Sequence, residues 1–247
     1  MADLSLILGK NLKTLIENFQ QPLVSVIMPC YKMGQFIGEA LESVGNQTFT
    51  NWEVIAVDDC GPVDGTEEAV EAFAKQFPNH RVIYHCHEQN GGVSAARNTA
   101  IGMAHGEYLA FLDPDDYYFP SKLEEAVSVL HANREVFLVH SSAFQKNTQS
   151  QSPKEDQIGF KLFDKSLSYR LSETENYLQR NWICNSTVVV RRLAFQVIRF
   201  PEKMLFQYED WVVWMLISRA GLCQRTEAVT GYESRVASEN NPAGGGL

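Results

Sequence analysis

Three carboxylates, Asp113, Asp115 and Asp116, fall within four positions directly after the apolar run Tyr108-Leu109-Ala110-Phe111-Leu112. Carboxylates crowded at the mouth of a buried strand repel one another and lose hydration, which is destabilising unless a cation lies among them. Hard oxygen donors suit Mg2+ or Mn2+, which take one or two protein carboxylates and complete their shell with water and substrate phosphate. The competing reading is an Asp-rich turn leading into a helix near Pro120, capped by Asp116 or Ser121. A second acidic pair, Glu209-Asp210, precedes the apolar Trp211, Val212, Val213, Trp214, Leu216 and Ile217. A helix dipole favours acids in its first turn, so capping alone accounts for the pair; the functional reading makes one of them a general base for an acceptor hydroxyl.

Other residues can do chemistry beside these. One carboxylate of Asp58-Asp59 can accept the imide N–H of uracil, which rejects bases lacking that donor, while the other closes an Asx-turn before Gly61. The ring of Tyr31, after Pro29-Cys30, is placed to stack on a base or else to fill core. Asn90-Gly91-Gly92-Val93-Ser94-Ala95-Ala96-Arg97-Asn98 joins a glycine turn to a helix start, supplying backbone N–H groups and the Arg97 guanidinium. These suit a diphosphate, or the orientation of the acidic cluster. His85 and His87 flank Cys86, but no second ligand cluster follows, which argues against zinc.

The elements that must position these groups alternate. Strand patterns at residues 24–29, 52–57, 81–85 and 108–112 are interleaved with helical patterns at 36–44, 66–77 (Thr66 as N-cap) and 94–104. That alternation predicts an α/β fold with a mostly parallel sheet flanked by helices on both faces. Ligands of such sheets sit at the carboxyl ends of the strands, where Tyr31, Asp58-Asp59, residues 88–92 and the Asp113 cluster all fall. The second half is less regular: strands are expected at 136–141 and 186–191, a loop at 145–156, and a helix at 206–220. Residues 4–19 carry Leu4, Leu8, Leu12, Leu15 and Phe19 at helical spacing, which predicts an amphipathic helix that packs on protein or touches a membrane peripherally.

The chain has 247 residues and a formal net charge of −9, and no basic run marks a nucleic-acid surface. Its five cysteines are scattered without CxxC spacing, as expected of free thiols in a cytoplasmic compartment. No apolar run reaches membrane-spanning length, and the first residues lack the pattern of a secretory signal.

In order along the chain these segments resemble the family 2 glycosyltransferases of GT-A fold, over about residues 22–222. The resemblance rests on Val24-Ser25-Val26-Ile27-Met28-Pro29-Cys30-Tyr31, on Glu42-Ser43-Val44-Gly45-Asn46-Gln47-Thr48, and on Val57-Asp58-Asp59 with the residues through Thr66. It continues through residues 90–98, Leu112-Asp113-Pro114-Asp115-Asp116 and Glu209-Asp210. It implies an inverting, metal-dependent transfer of a sugar from a nucleotide-diphosphate donor, a UDP-sugar, to a hydroxyl of a glycan or lipid-linked acceptor. Assembly of a surface polysaccharide at the cytoplasmic face of the inner membrane is the implied setting.

By position, Asp59 binds the base, with Pro29 and Tyr31 lining its pocket. Asp113 lies by the ribose and the metal, and Asp115 ligates Mg2+ or Mn2+. Arg97 orients the acidic cluster or touches the nucleotide, Asp210 is the catalytic base, and Arg235 is the candidate contact for the diphosphate. The implied organisation is an N-terminal helix (1–21), a nucleotide-sugar-binding half (22–140), an acceptor and catalytic-base half (141–235) and a tail (236–247). Two segments depart from the family pattern: Cys60-Gly61-Pro62-Val63 replaces a turn of small residues, and Tyr232-Glu233-Ser234-Arg235 matches the aromatic-basic segment only loosely. A degenerate, non-catalytic binder and a nucleotidyltransferase are the alternatives; the latter should carry a basic Gly-rich loop where Cys30-Tyr31-Lys32-Met33-Gly34 stands.

Overall fold

Residues 24–30 are apolar apart from Ser25 and form β1 (Val24–Cys30), buried along its whole length. A parallel strand of this kind needs cover on both of its faces. The computed structural model, which describes residues 24–145, 156–158, 183–203 and 208–232, supplies that cover. β2 (Trp52–Asp58), β3 (Val82–Cys86) and β4 (Tyr108–Phe111) join β1 in parallel, in the order β3-β2-β1-β4. Side chains alternate with period two. Val24, Val26 and Met28 pack on α1 (Ile37–Gly45), α2 (Thr66–Gln76) and α4 (Lys122–Ala132). Ile27, Ile55, Leu109 and Phe111 pack on α3 (Val93–Met103) and α5 (Glu209–Ala220). The expected helices on both faces are present, and each strand residue faces the layer that its parity dictates.

Beyond β4 the sheet becomes mixed. β8 (Val189–Arg191) is antiparallel to β4, β6 (Val136–Gln145) is antiparallel to β8, and β9 (Leu222–Tyr232) runs parallel to β6. The two-residue β5 (Tyr117–Tyr118) pairs with β9, and β7 (Asp156–Ile158) with β6. β6 therefore crosses the boundary expected at residue 140, and one continuous sheet carries strands from both sides of it. The strand expected at 186–191 is shorter: residues 185–187 form a 3-10 turn and only Val189–Arg191 pairs. β9 had no strand signal in the sequence. The helix expected from residue 206 begins at Glu209.

Two features open the site end of the sheet. Val24 donates to Asn51 O beside β2, so by alternation the odd residues of β1 face β4. The β1–β4 ladder ends at Ile27, and Pro29, which has no N–H to give, falls just past it. The loops after β1 and β2 are locked together. Asp64 accepts Gly34 N–H at 2.9 Å and Thr66 N–H at 3.0 Å, and a Cβ at Gly34 would sit 1.9 Å from Asp64 O. Thr66 is therefore not the cap of α2: Gly65, at φ +93°, occupies that position and the Asp64 side chain does the capping.

The opposite end is clamped. Glu53, fully buried, accepts from Ser25 Oγ, His105 N–H and Gly106 N–H, and pairs with Arg81. Among the described residues no helix is long and apolar enough to cross a membrane. The amphipathic helix at 4–19 and the tail lie outside the described residues.

Candidate active site

The acidic loop after β4 places its three carboxylates in different surroundings. Asp116 is 3% exposed and accepts from Ser186 Oγ, whose oxygen in turn receives Asp113 N–H at 3.0 Å. Asp113 Oδ1 accepts from Arg97 Nη2 at 3.1 Å and Asn185 Nδ2 at 3.0 Å, while its Oδ2 has no partner among the described residues. Asp115 is half-buried between them. Crowding of acids therefore does not by itself require a cation, as the sequence had suggested. Protein donors from residues 97, 185 and 186, remote in sequence, meet one oxygen each of Asp113 and Asp116. Below the loop the Tyr118 hydroxyl donates to Phe111 O at 2.5 Å. Burial, with Asp113 and Asp116 nearby, pushes its pKa well up, so it remains a phenol.

The capping alternatives resolve separately. Ser121 stands at the N-cap of α4 but donates its hydroxyl to Glu125 at 2.8 Å instead of capping, and Asp116 is spent on Ser186. The segment is held from the side by α1. Gln47 donates to Phe119 O at 2.8 Å and accepts Leu123 N–H at 3.0 Å, Thr48 donates to Glu124 at 2.6 Å, and Ser43 receives Tyr118 N–H at 3.0 Å.

At the end of β2 the two acids separate. Asp58 closes the turn, accepting Gly61 N–H at 2.6 Å. Asp59, 3% exposed, accepts Gly91 N–H at 2.9 Å and His87 Nδ1–H at 2.8 Å on Oδ1, and Gly92 N–H at 2.6 Å on Oδ2. A carboxylate offers about four acceptor positions, so one on Oδ2 remains for a ligand. Because that carboxylate only accepts, His87 carries its proton on Nδ1, and Nε2 meets the Thr99 hydroxyl at 2.9 Å. Both ring nitrogens are engaged.

Asn90 Nδ2 donates to Asp59 O at 2.9 Å, completing the tie between the β2 exit and the glycine turn. Cys60 turns the chain at φ +58°, a left-handed conformation uncommon for residues other than glycine. Pro29 is buried in β1; Tyr31 is 42% exposed, with Lys32 Nζ 5.1 Å from its ring centroid, so it is not a core tyrosine.

Arg97 joins the two halves of the site. It is 4% exposed on α3, and it donates to Asp113 and, through Nη1 at 2.6 Å, to Glu209 Oε1 in the first turn of α5. Burial lowers its pKa, but Asp113 and Glu209 raise it further, and the net shift is upward: the group stays a cation. Its Cζ lies 5.3 Å above the Phe200 ring, and Asn98 fixes that ring by bonding Phe200 O and N–H, both at 2.9 Å. Asp210, next to Glu209, accepts Trp211 N–H on Oδ1 at 2.7 Å.

Sequence reasoning missed Asn185, Ser186 and His87 as site residues; the polar triplet Asn185-Ser186-Thr187 before a β-branched run was the available signal. Arg235 and most of residues 141–182 lie outside the described residues. Among the described residues no three His, Cys, Asp or Glu side chains converge as a metal cage. The Oδ2 of Asp113, unpartnered among the described residues and close in sequence to Asp115, still fits Mg2+ or Mn2+, which leave several positions to water and phosphate.

The sequence and the fold both have known counterparts. EpsJ of Bacillus subtilis, described as an uncharacterized glycosyltransferase, is 30% identical over 220 residues, covering 89% of this chain and 54% of its own. TuaG of the same organism, a putative teichuronic acid biosynthesis glycosyltransferase, is 40% identical over 110 residues, 44% of this chain and 42% of its own. The chain spans about half the length of these relatives. Among solved structures, S. aureus TarS 1–349 in complex with UDP superposes with a TM-score of 0.67 at 24% identity, covering 85% of this chain and 60% of that one. The mannosyltransferase PcManGT from Pyrobaculum calidifontis, in complex with GDP-Man and Mn2+, gives 0.65 at 21% identity, covering 86% and 57%. The fold they share with this chain is GT-A. The family model described as Glycosyl transferase family 2 matches residues 25–197, from β1 through the acidic loop to the turn beyond β8, and the chain belongs to that family.

Proposed function

We propose that the chain transfers a sugar, with inversion, from a nucleotide-diphosphate donor, a UDP-sugar, to a hydroxyl of a glycan or lipid-linked acceptor. The observation that carries this reading is the convergence, at the carboxyl ends of β1, β2 and β4, of Asp59, the Asp113 loop and the first turn of α5, with Arg97 linking the last two. Asp59, with its remaining acceptor position, reads the imide N–H of the base, and the exposed Tyr31 ring stacks on it beside Pro29. Asp113 and Asp115 hold a divalent cation; bound there, it offsets the charge that builds on the departing diphosphate. Arg235 is the proposed further contact for the diphosphate.

Asp210 takes the proton from the acceptor hydroxyl as the acceptor oxygen attacks the anomeric carbon from the face opposite the diphosphate. The carbon–oxygen bond to the diphosphate breaks, its electron pair leaves with the nucleoside diphosphate, and the anomeric configuration inverts.

Names among the relatives support the setting: TuaG in teichuronic acid and GgaB in minor teichoic acid biosynthesis, both of Bacillus subtilis. Surface-polysaccharide assembly at the cytoplasmic face of the inner membrane is the proposed context. Calorimetric titration with UDP, with and without Mn2+ and with GDP and ADP beside it, tests the donor assignment. Binding that requires Mn2+ and prefers UDP supports it; indifference to base and metal overturns the roles given to Asp59, Asp113 and Asp115.

A further inference from the structure

Arg97 is a single buried positive charge shared by two carboxylates that belong to different parts of the reaction. Asp113 lies on the donor side and Glu209 one residue before the proposed base. The guanidinium cannot lose its proton in a protein, and at 4% exposure water cannot screen it. Among the described residues its Nε has no partner, and its hydrogen bonds go to Asp113 and Glu209. The bond to Glu209 is the shorter, 2.6 against 3.1 Å, and Glu209 is the less exposed acid, its side chain 16% exposed against 29% for Asp113.

We propose that Glu209 is a positioning residue that sets the cation affinity of the Asp113 loop by competing with Asp113 for Arg97. While Glu209 holds most of the guanidinium, Asp113 keeps negative charge for a divalent ion. If Glu209 loses its charge, Arg97 falls wholly to Asp113 and neutralises it. The coupling is reciprocal by thermodynamic linkage. A cation that draws on Asp113 loosens the Arg97–Asp113 bond and tightens Arg97 onto Glu209, which draws in the first turn of α5. Loading of the donor thereby fixes the turn that carries Asp210. This inference rests on the donor and metal reading above.

The test is calorimetry of UDP binding with and without Mn2+ for the parent, Glu209→Gln, Glu209→Asp and Glu202→Gln. Glu202 bonds Asn98 at 2.9 Å outside the cluster and controls for removal of a nearby charge. Glu209→Gln should weaken UDP binding about tenfold in Mn2+ and leave metal-free binding unchanged, as expected for loss of one close charge interaction. Glu209→Asp should restore most of the difference and Glu202→Gln should match the parent. Equal Mn2+-dependent affinity in Glu209→Gln and the parent, or equal weakening with and without metal, would overturn the proposal while leaving the function standing. A parent that shows no Mn2+-dependent binding would overturn both. Hydrogen exchange on the unsubstituted protein is independent of how the variants fold. Mn2+ with UDP should slow exchange at the Val212 and Val213 amides, and unchanged exchange there would also count decisively against the coupling.

Discussion

Asp210 accepts the Trp211 N–H on Oδ1, an acceptor role that asparagine can reproduce, so the carboxylate can be neutralised without undoing the first turn of α5. Asp210→Asn should therefore keep UDP affinity within about twofold and lower turnover by about 10²–10⁴, the usual contribution of a general base. Turnover assays beside calorimetry separate the two effects. Lys122 shows a different residue-scale effect. It is fully buried on α4 and donates to Thr187 O; burial pulls its pKa from 10.5 to about 7, against small opposing effects of Cys184 and Glu125. The unfolded chain binds this proton up to about pH 10.5 and the folded chain only to about pH 7. Folding stability should therefore rise between those values and be flat, for this group, below them. Lys122→Met should abolish that rise and be the more stable form near neutral pH by about 2–4 kcal/mol, after the lost bond to Thr187 is discounted. Urea unfolding at pH 6.5 and 9.5, values chosen on the order of the window's two ends, measures both. Acid and base residues at strand ends were legible from local pattern. Lys122, and the Asn185 and Ser186 partners of Asp113 and Asp116, were not, because burial and contacts across 65–73 positions leave no mark in a local window.

At the scale of elements, the end of α1 acts as a clamp on the acidic loop. The Gln47 amide is 5% exposed and makes three bonds, to Ser43 O and Phe119 O as donor and from Leu123 N–H as acceptor. Gln47→Ala leaves the buried Leu123 N–H unpaired and strips Phe119 O of one of its donors, Lys122 N–H being the other, and should destabilise the protein by about 1–3 kcal/mol in denaturant unfolding. UDP affinity should weaken with it, because the 118–123 segment follows directly on the loop that holds Asp113 and Asp115. The Gln47-Thr48 pair was visible as a motif at a helix end, but its purpose was not: the partner segment lies 72–76 residues away. The 3-10 turn at 185–187 was taken for strand because its Thr187 and the following valines fit a β-branched pattern. The turn wins because Asn185 and Ser186 spend their side chains on Asp113 and Asp116.

At the scale of the whole molecule, stability and chemistry occupy opposite ends of the sheet. Glu53, buried at the amino ends of the strands, binds Arg81, Ser25 and the turn before β4. Arg81→Met leaves a buried carboxylate without its counter-ion and should lower stability by about 3–5 kcal/mol. UDP affinity, read at a temperature where the variant is folded, should stay within about twofold, since no group of the proposed site is touched. The parallel half of the architecture was readable because strand and helix alternate there in short order. The mixed half was not, since β8 and β9 reach partners across long stretches of chain.

That mixed half has a consequence for how the protein can be divided. β8 lies hydrogen-bonded along the outer side of β4, and β6 lies beyond it. A fragment ending at residue 140 would expose the raw margin of β4 as a bare template for strand addition, and leave Arg97 with one counter-ion in place of two. The sheet cannot be cut at residue 140 without loss: β4 relies for its outer cover on a strand that the chain supplies about 80 residues later.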